Sequence, residues 1–404
     1  MKAIIVGNNV AGTTLAKAIR DADASIEVDI FTDESLQYYP RPKLIDFLEG
    51  KVAEKDMPFY PLEWYSKNRL TLHLDSKVDK IDPDGKRILS KGVWYQYDKL
   101  ALSTGSSSFV PPLKGLPKKN VFTLRTMDDA KRIKETAAKA SHAIVIGGGL
   151  LGLESARGVC TAYPHLRVTI LEYAEHLLMR QLDHEGAALL QGWIERTGAK
   201  IVVKAETEEI LGDANVEGVR LKDGRTIEGD MVIVSAGTRS NTDLAKDAGL
   251  KVNKGIVVDF SLRTSNQDIF ALGDACEFGG QVWAMIPPAL DEARVAAKRM
   301  LGQPGPDYNG TVPSNTLKVS GFDMTSIGTV RSAHEPPELE YEEIRAMAPD
   351  GNVYKKFVLK DGKMIGAILL GTKKDALKIT KIIKEGQSVE AFKARLSDPT
   401  FTFD

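Results

Sequence analysis

Two glycine-rich turns of one pattern stand about 140 residues apart in this chain, each directly after a short apolar run. The first is Gly7-Asn8-Asn9-Val10-Ala11-Gly12, after Ala3-Ile4-Ile5-Val6. The second is Gly147-Gly148-Gly149-Leu150-Leu151-Gly152, after Ala143-Ile144-Val145-Ile146. A run of four apolar residues that ends in a glycine turn reads as a buried strand handing over to a helix. Such a junction aims backbone N–H groups and a helix N-terminus at one spot, which suits a pyrophosphate. Two such junctions constrain the chain to two nucleotide-binding α/β units, and 404 residues leave room for two or three domains.

In the pattern G-x-G-x-x-G the first glycine makes the turn, the second lets backbone approach phosphate, and the third lets helix pack on strand. Gly147, Gly149 and Gly152 fill all three positions of the second turn. In the first turn Gly7 and Gly12 fill the outer positions, and Asn9 stands in the middle. Asparagine tolerates positive φ better than most residues, although its side chain takes space beside the phosphate. The strand predicted over 27–31 leads to Thr32-Asp33-Glu34. Glu34 lies 22 residues after Gly12, near the spacing at which an acid accepts from ribose hydroxyls, and is preferred to Asp33. The strand predicted over 167–171 leads to Glu172 in the matching place. Tyr173 and Glu175 offer no guanidinium for a 2′-phosphate, so NADH is expected over NADPH. Glu154, on the first turn of the next helix, either complements the helix dipole or orients a nicotinamide carboxamide; both readings are open. Gly273-Asp274 follows the apolar Phe270-Ala271-Leu272. Two dinucleotide turns and this pair together imply FAD and NADH side by side, with hydride transfer between them.

The linear order suggests an insertion. A strand and turn over 97–106 close the first unit, Pro111 and Pro112 mark a linker, and a second strand and turn over 230–239 close the second unit. If Asp274 serves the first nucleotide, the chain leaves the FAD domain, builds the NAD domain and returns. The expected fold class is α/β: two Rossmann-like dinucleotide-binding domains, the FAD domain with the NAD domain inserted, plus a small α+β C-terminal domain. The expected boundaries are 1–112 and 241–310 for FAD, 113–240 for NAD and 311–404 for the C-terminal domain. That last segment predicts strands over 316–319, 325–327, 357–360 and 364–370, with a hairpin turn at Asp361-Gly362. A helix follows, with Lys373, Lys374, Lys378, Lys381 and Lys384 on one face and Ile379, Ile382 and Ile383 opposite. The basic face reads either as a solvated surface or as a docking face for an acidic carrier.

These motifs, together with Ser103-Thr104-Gly105, Leu124-Arg125-Thr126 ahead of a helix near Asp128, and Thr264-Ser265, resemble the flavoprotein reductases of the pyridine nucleotide–disulfide oxidoreductase superfamily. The resemblance covers nearly the whole chain. Within that superfamily the chain is similar to the NADH:rubredoxin reductases and the flavin parts of nitrite reductases. Softer signals carry this narrower likeness: Tyr38-Tyr39-Pro40-Arg41-Pro42, the stretch 178–183, Leu317-Lys318-Val319, the stretch 357–371 and the ending Phe401-Thr402-Phe403-Asp404. The resemblance implies that Asp274 hydrogen-bonds the ribityl chain of FAD. It also implies cofactor contacts for Arg41, Pro42, Thr104, Gly105, Arg125, Gly237 and Gly273. Arg41 and Lys43 then fall where the family runs past the flavin ring, and one of them pairs with Glu154 across the hydride-transfer site. The alternative is two surface cations flanking Pro42.

Relatives with a redox thiol carry it early in the chain. Here the only cysteines are Cys160 and Cys276, and the first 159 residues hold none; the thiol position falls near Pro42. The chemistry is therefore expected to end at the flavin, with electrons leaving to a small redox carrier such as rubredoxin. A peroxide-forming NADH oxidase and a non-catalytic flavin/NADH sensor are the alternatives. The six histidines (His73, His142, His165, His176, His184, His334) show no metal-ligand spacing, although His176 and His184 are eight apart, so no metal is expected. Net charge is −1, which gives no reason to expect a nucleic-acid partner. No apolar run reaches the length of a membrane span. The first strand begins at Lys2, so a soluble cytoplasmic protein without a signal peptide is expected, and a homodimer through the last domain is left open.

Overall fold

The computed structural model describes residues 1–319, 321–330 and 341–403. His334 and Asp404, both part of the sequence reading, lie outside the described residues. The chain forms two compact units. The first comprises Met1–Lys43, Val52–Ser107 and Thr238–Thr311; the second comprises Leu44–Lys51, Ser108–Gly237 and Val312–Asp404.

The first unit is built on a five-stranded parallel sheet, in the order Ile269–Ala271, Lys99–Leu102, Lys2–Val6, Glu27–Phe31, Leu70–His73. Parallel strands are covered on both faces, so they read as continuous apolar runs. Ala3, Ile4, Ile5, Leu100, Ala101, Phe270 and Ala271 are all fully buried. The strand Lys2–Val6 is central, with the chain's next strand on one side and a later strand on the other. That is a topological switch point, where open α/β sheets bind ligands. The helices Val10–Ala22 and Ile286–Met300 pack against each other over this sheet.

The second unit repeats the design. Its parallel sheet runs Lys200–Val202, Arg167–Leu171, His142–Ile146, Met231–Val234, Val121–Phe122, again with the strand before the glycine turn at the switch point. The short piece Leu44–Lys51 packs here, against the helix Leu150–Ala162. A Cβ on Gly158 would stand 3.4 Å from Leu48 and 3.5 Å from Ile45, so that glycine gives them their seat. Glu49 pairs with Arg157 at 3.5 Å.

Residues after Val312 add an antiparallel sheet to the second unit, ordered Ser314–Val319, Phe322–Gly328, Lys363–Leu370, Tyr354–Lys360, Glu342–Met347. The hairpin turn falls at Asp361 (φ 50°) and Gly362 (φ 70°), both in the left-handed region that a two-residue hairpin of this kind demands. The strand Glu342–Met347 was not anticipated: it lies at the sheet edge and carries Glu342, Glu343 and Arg345, as an edge strand should. The helix Ala376–Glu385 buries Ile379 with Ile382 and Ile383 packed beside it, as its pattern predicted. The predicted basic face needs correction. The helix begins only after Asp375, whose φ of 72° turns the chain, so Lys373 and Lys374 belong to the preceding turn and not to the helix face of Lys378, Lys381 and Lys384. Among the described residues no helix is long and apolar enough to cross a membrane.

Candidate functional site

In the first turn Gly7 has φ +114°, and a Cβ there would lie 2.1 Å from the Ser103 carbonyl oxygen. A Cβ on Gly12 would lie 2.0 Å from the Gly7 oxygen. Both outer glycines are thus fixed by close backbone approach. Asn9 is different from its expectation. Its φ is −113°, ordinary extended backbone, so tolerance of positive φ is not what it supplies. It is the helix N-cap: its side-chain oxygen accepts from the N–H groups of Ala11 (3.0 Å) and Gly12 (3.2 Å), and its amide donates to the Ser103 carbonyl.

The second turn has the same frame without that cap. Gly147 has φ +119° and its Cβ would meet the Ser235 oxygen at 2.2 Å; a Cβ on Gly152 would meet the Gly147 oxygen at 2.0 Å. Gly149 has open space around its missing Cβ, and no side chain caps the helix Leu150–Ala162. The orphan N–H groups of that first turn form a ready anion seat.

Each turn has an acid beside it. Glu34 in the first unit is clasped by Arg41, which donates from both terminal nitrogens, and by the hydroxyl of Tyr39. Burial opposes the charge of Arg41, but the Glu34 carboxylate outweighs it and raises the guanidinium pKa. Glu172 in the second unit accepts from the Gly148 N–H at 2.6 Å and from the Ala174 N–H at 2.7 Å, which holds its carboxylate at the mouth of the turn. Gly148 is glycine for a packing reason: a Cβ there would press on Leu177 at 2.6 Å and on Glu172 at 2.9 Å.

Gly273, with φ +70°, brings the Gly-Asp pair to the first turn; its Cβ would touch that of Ala11 at 2.9 Å. Asp274 accepts from the Ser106 hydroxyl at 2.7 Å, and its own carbonyl accepts from Ser240 at 2.6 Å. Thr104 and Gly105 are tied to Asn241: the Thr104 hydroxyl donates to its carbonyl (2.8 Å), and its N–H donates to Gly105 (3.0 Å). Pro42 is exposed. In the second unit the Arg125 N–H donates to Asp129, inside a capping box with Thr126. Gly237 has φ +101° with open space beside it.

The cations expected beside the flavin ring have other partners. Arg41 binds Glu34. Lys43 donates to the carbonyls of Asp56 and Met57. Both sets of partners lie in the first unit. The charged neighbours of Glu154 are Arg157 and Asp46 in the second. Burial raises the pKa of Glu154, with Arg157 opposing and Asp46 reinforcing.

One acid of the site was missed from sequence. Glu292, on the helix Ile286–Met300, is 2% exposed and accepts from the Gly273 N–H at 2.7 Å. Burial pushes its pKa up to about 7, against the hydrogen bonds from Gly273 and Tyr308 and with repulsion from Asp274 and Asp291. A glutamate in an amphipathic helix gives no sign that it faces inward. The two cysteines are shielded thiols: burial raises Cys160 to about 11 and holds Cys276 well above the ordinary value. A thiol that does not ionise is a poor nucleophile.

The chain is similar to known proteins along most of its length. Residues 1–298 match the family described as pyridine nucleotide-disulphide oxidoreductase, and residues 313–387 match the rubredoxin NAD+ reductase C-terminal domain. The chain is 34% identical over 399 residues to a nitrite reductase [NAD(P)H] of Bacillus subtilis (strain 168), covering 98% of this chain and 49% of that protein. It is 31% identical over 317 residues to a nitric oxide reductase FlRd-NAD(+) reductase of Vibrio vulnificus (strain YJ016), covering 78% of this chain and 82% of that one. The crystal structure of NADH:rubredoxin oxidoreductase from Clostridium acetobutylicum superposes with a TM-score of 0.78 at 28% identity, covering 96% of each chain. The chain thus spans about half the length of the nitrite reductase it matches, and most of the length of the smaller reductases.

Proposed function

The chain belongs to the pyridine nucleotide-disulphide oxidoreductase family, whose members bind FAD and use NAD(H), and we propose that it takes hydride from NADH onto FAD and passes electrons to a small redox carrier of the rubredoxin type. The observation that carries this reading is the repeated switch point: two glycine turns in two parallel sheets, each with an acid shortly after the neighbouring strand. Bound FAD supplies the hydride acceptor and the store for an electron pair. The protein's own residues bind and orient.

In the first unit the turn from Gly7 to Gly12 seats the pyrophosphate of FAD. Glu34 serves the adenosine ribose. Tyr39 and Arg41 hold its carboxylate in place. Arg41 acts through Glu34, as a positioning residue. Lys43 anchors the turn that contains Pro42. Asp274 takes a ribityl hydroxyl, and Thr104 and Gly105 shape the wall beside it. In the second unit the open helix end after Gly149 seats the pyrophosphate of NADH, and Glu172 takes its ribose. Glu154 orients the nicotinamide carboxamide; Arg125 and Gly237 border the same cofactors. No thiol takes part.

The carrier belongs to the same proposal. It is supported by the match of residues 313–387 to a rubredoxin reductase domain and by the exposed Leu377, Lys381 and Lys384 of the helix Ala376–Glu385. An exposed apolar residue with cations on the same helix fits an acidic protein that is steered by charge.

The test uses the full chain loaded with FAD. Anaerobic mixing with NADH should bleach the flavin within the mixing experiment, and a rubredoxin should then be reduced at least tenfold faster than oxygen is consumed. Flavin that NADH leaves oxidised would sink the reading. Turnover with oxygen alone would transfer it to a peroxide-forming oxidase.

A further inference from the structure

We propose that Glu175, His176 and His184 form a site for a divalent transition-metal cation, Zn²⁺ by its chemistry, on the segment that leads from Glu172 to the helix His184–Glu195. The three residues each place one ligand atom within 4.8 Å of the others. Among the described residues this is the one place where three such groups converge. The sequence hides it, because a spacing of eight between histidines matches no helical or hairpin metal pattern. The fold supplies the convergence: His176 lies in the turn after the strand Arg167–Leu171, and His184 opens the helix that follows.

His176 is 8% exposed, and its Nδ1 is 2.8 Å from the Leu177 carbonyl. A carbonyl only accepts, so Nδ1 carries the proton and the Nε2 lone pair is the ring's donor to a cation. A metal-bound imidazole is commonly oriented in this way. The ring stands 4.5 Å from that of His184, centroid to centroid. His184 Nε2 and Glu175 Oε1 are 3.2 Å apart. Ligands about 2.0–2.1 Å from a tetrahedral zinc ion stand roughly 3.3 Å from each other, so this pair already has the right separation. The third ligand is reached by rotating side chains that are free to move, since His184 is 65% and Glu175 40% exposed.

The helix end is fixed independently. Asp183, its N-cap, accepts from the Gly186 N–H at 3.0 Å and the Tyr354 hydroxyl at 2.7 Å, and lies 3.2 Å from the Lys356 ammonium. The backbone that presents His184 is therefore in place before any ion arrives. Two imidazoles and one carboxylate select Zn²⁺ and its neighbours over Mg²⁺ or Ca²⁺, which want oxygen. Three protein ligands leave the fourth tetrahedral position to water.

Calorimetric titration of the untagged, FAD-loaded full chain with Zn²⁺ tests the site without reference to turnover. One ion per chain is expected to bind, and Mg²⁺ should not compete. His184→Ala and Glu175→Gln each change an exposed side chain, so folding is unaffected, and each should weaken Zn²⁺ binding at least tenfold. Zn²⁺ should also raise the thermal midpoint of the wild type and not of His184→Ala. The proposal is overturned if the wild type takes up no ion at a defined stoichiometry, or if both variants bind as tightly as the wild type.

Discussion

Glu172 and Glu292 both accept a hydrogen bond from a glycine N–H, yet burial gives them different consequences. Glu172 is half-buried at the mouth of its turn, and the proposed function has it exchange the Gly148 N–H for ribose hydroxyls. Glu172→Ala should raise the NADH KM at least tenfold, as expected for the loss of about 1.5–3 kcal/mol of charge-assisted hydrogen bonding. It should also narrow the preference over NADPH, because the repulsion of a 2′-phosphate goes with the carboxylate. Steady-state kinetics with both nucleotides check this, and a wild type that uses them equally would refute it. Glu292 is enclosed, and its folded pKa of about 7 stands above the ordinary 4.5. The folded state therefore holds the proton more tightly than the unfolded chain. The resulting stabilisation is complete below about pH 4.5 and fades as pH rises through about 7. A shift of that size corresponds to on the order of 3 kcal/mol. Glu292→Gln keeps the shape and removes the titration. Thermal midpoints measured across that range should show a flatter pH profile in the variant, and superimposable profiles would remove the argument.

At the scale of elements, what the sequence reveals is what local chemistry dictates. The strand Glu27–Phe31 and the strand Arg167–Leu171 have the limits that their apolar runs predict, and the hairpin at Asp361-Gly362 is a two-residue motif. The outer glycines Gly7 and Gly147 are legible because the turn itself requires them. Asn9 was misread, although asparagine before a helix is a standard cap signal, because its place in the glycine pattern suggested a substitute for glycine. Its role predicts an unusual ranking. Asn9→Ala should destabilise the protein by about 1 kcal/mol, whereas Asn9→Gly should cost only a few tenths. Unfolding midpoints of the two variants settle the ranking, and equal losses would mean that the cap contributes nothing. The strand Glu342–Met347 and the position of Lys373 and Lys374 escaped for another reason. A charged edge strand lacks an apolar stripe, and a helix start set by the φ of Asp375 leaves no trace in a helical wheel.

Across the whole molecule, the two strand, glycine turn and helix segments were legible because each is read locally, whereas the pairing of distant charges was not. Tyr354 and Asp183, 171 residues apart, share a hydrogen bond, and Lys356, 2% exposed, lies between Asp183 at 3.2 Å and Glu343 at 2.9 Å. Removing one member of such a buried group strands the others. Lys356→Ala should cost about 3–5 kcal/mol, read from chemical unfolding followed by tryptophan fluorescence, and a loss below about 1 kcal/mol would show that water reaches the site. The cysteines carry the last consequence, because they decide how many electrons the molecule holds. Cys276 is buried in the strand Cys276–Phe278, Cys160 is half-buried on the helix Leu150–Ala162, and burial raises the pKa of both thiols. A thiol that stays protonated neither attacks nor relays, so a protein with no other redox group stores one electron pair, on its flavin. The variant with Cys160→Ala and Cys276→Ala, loaded with FAD, should pass electrons from NADH to a carrier within about threefold of the wild-type rate. Anaerobic titration of either protein should end at one NADH per flavin. An endpoint at two in the wild type that falls to one in the double variant would make one of these cysteines a redox centre.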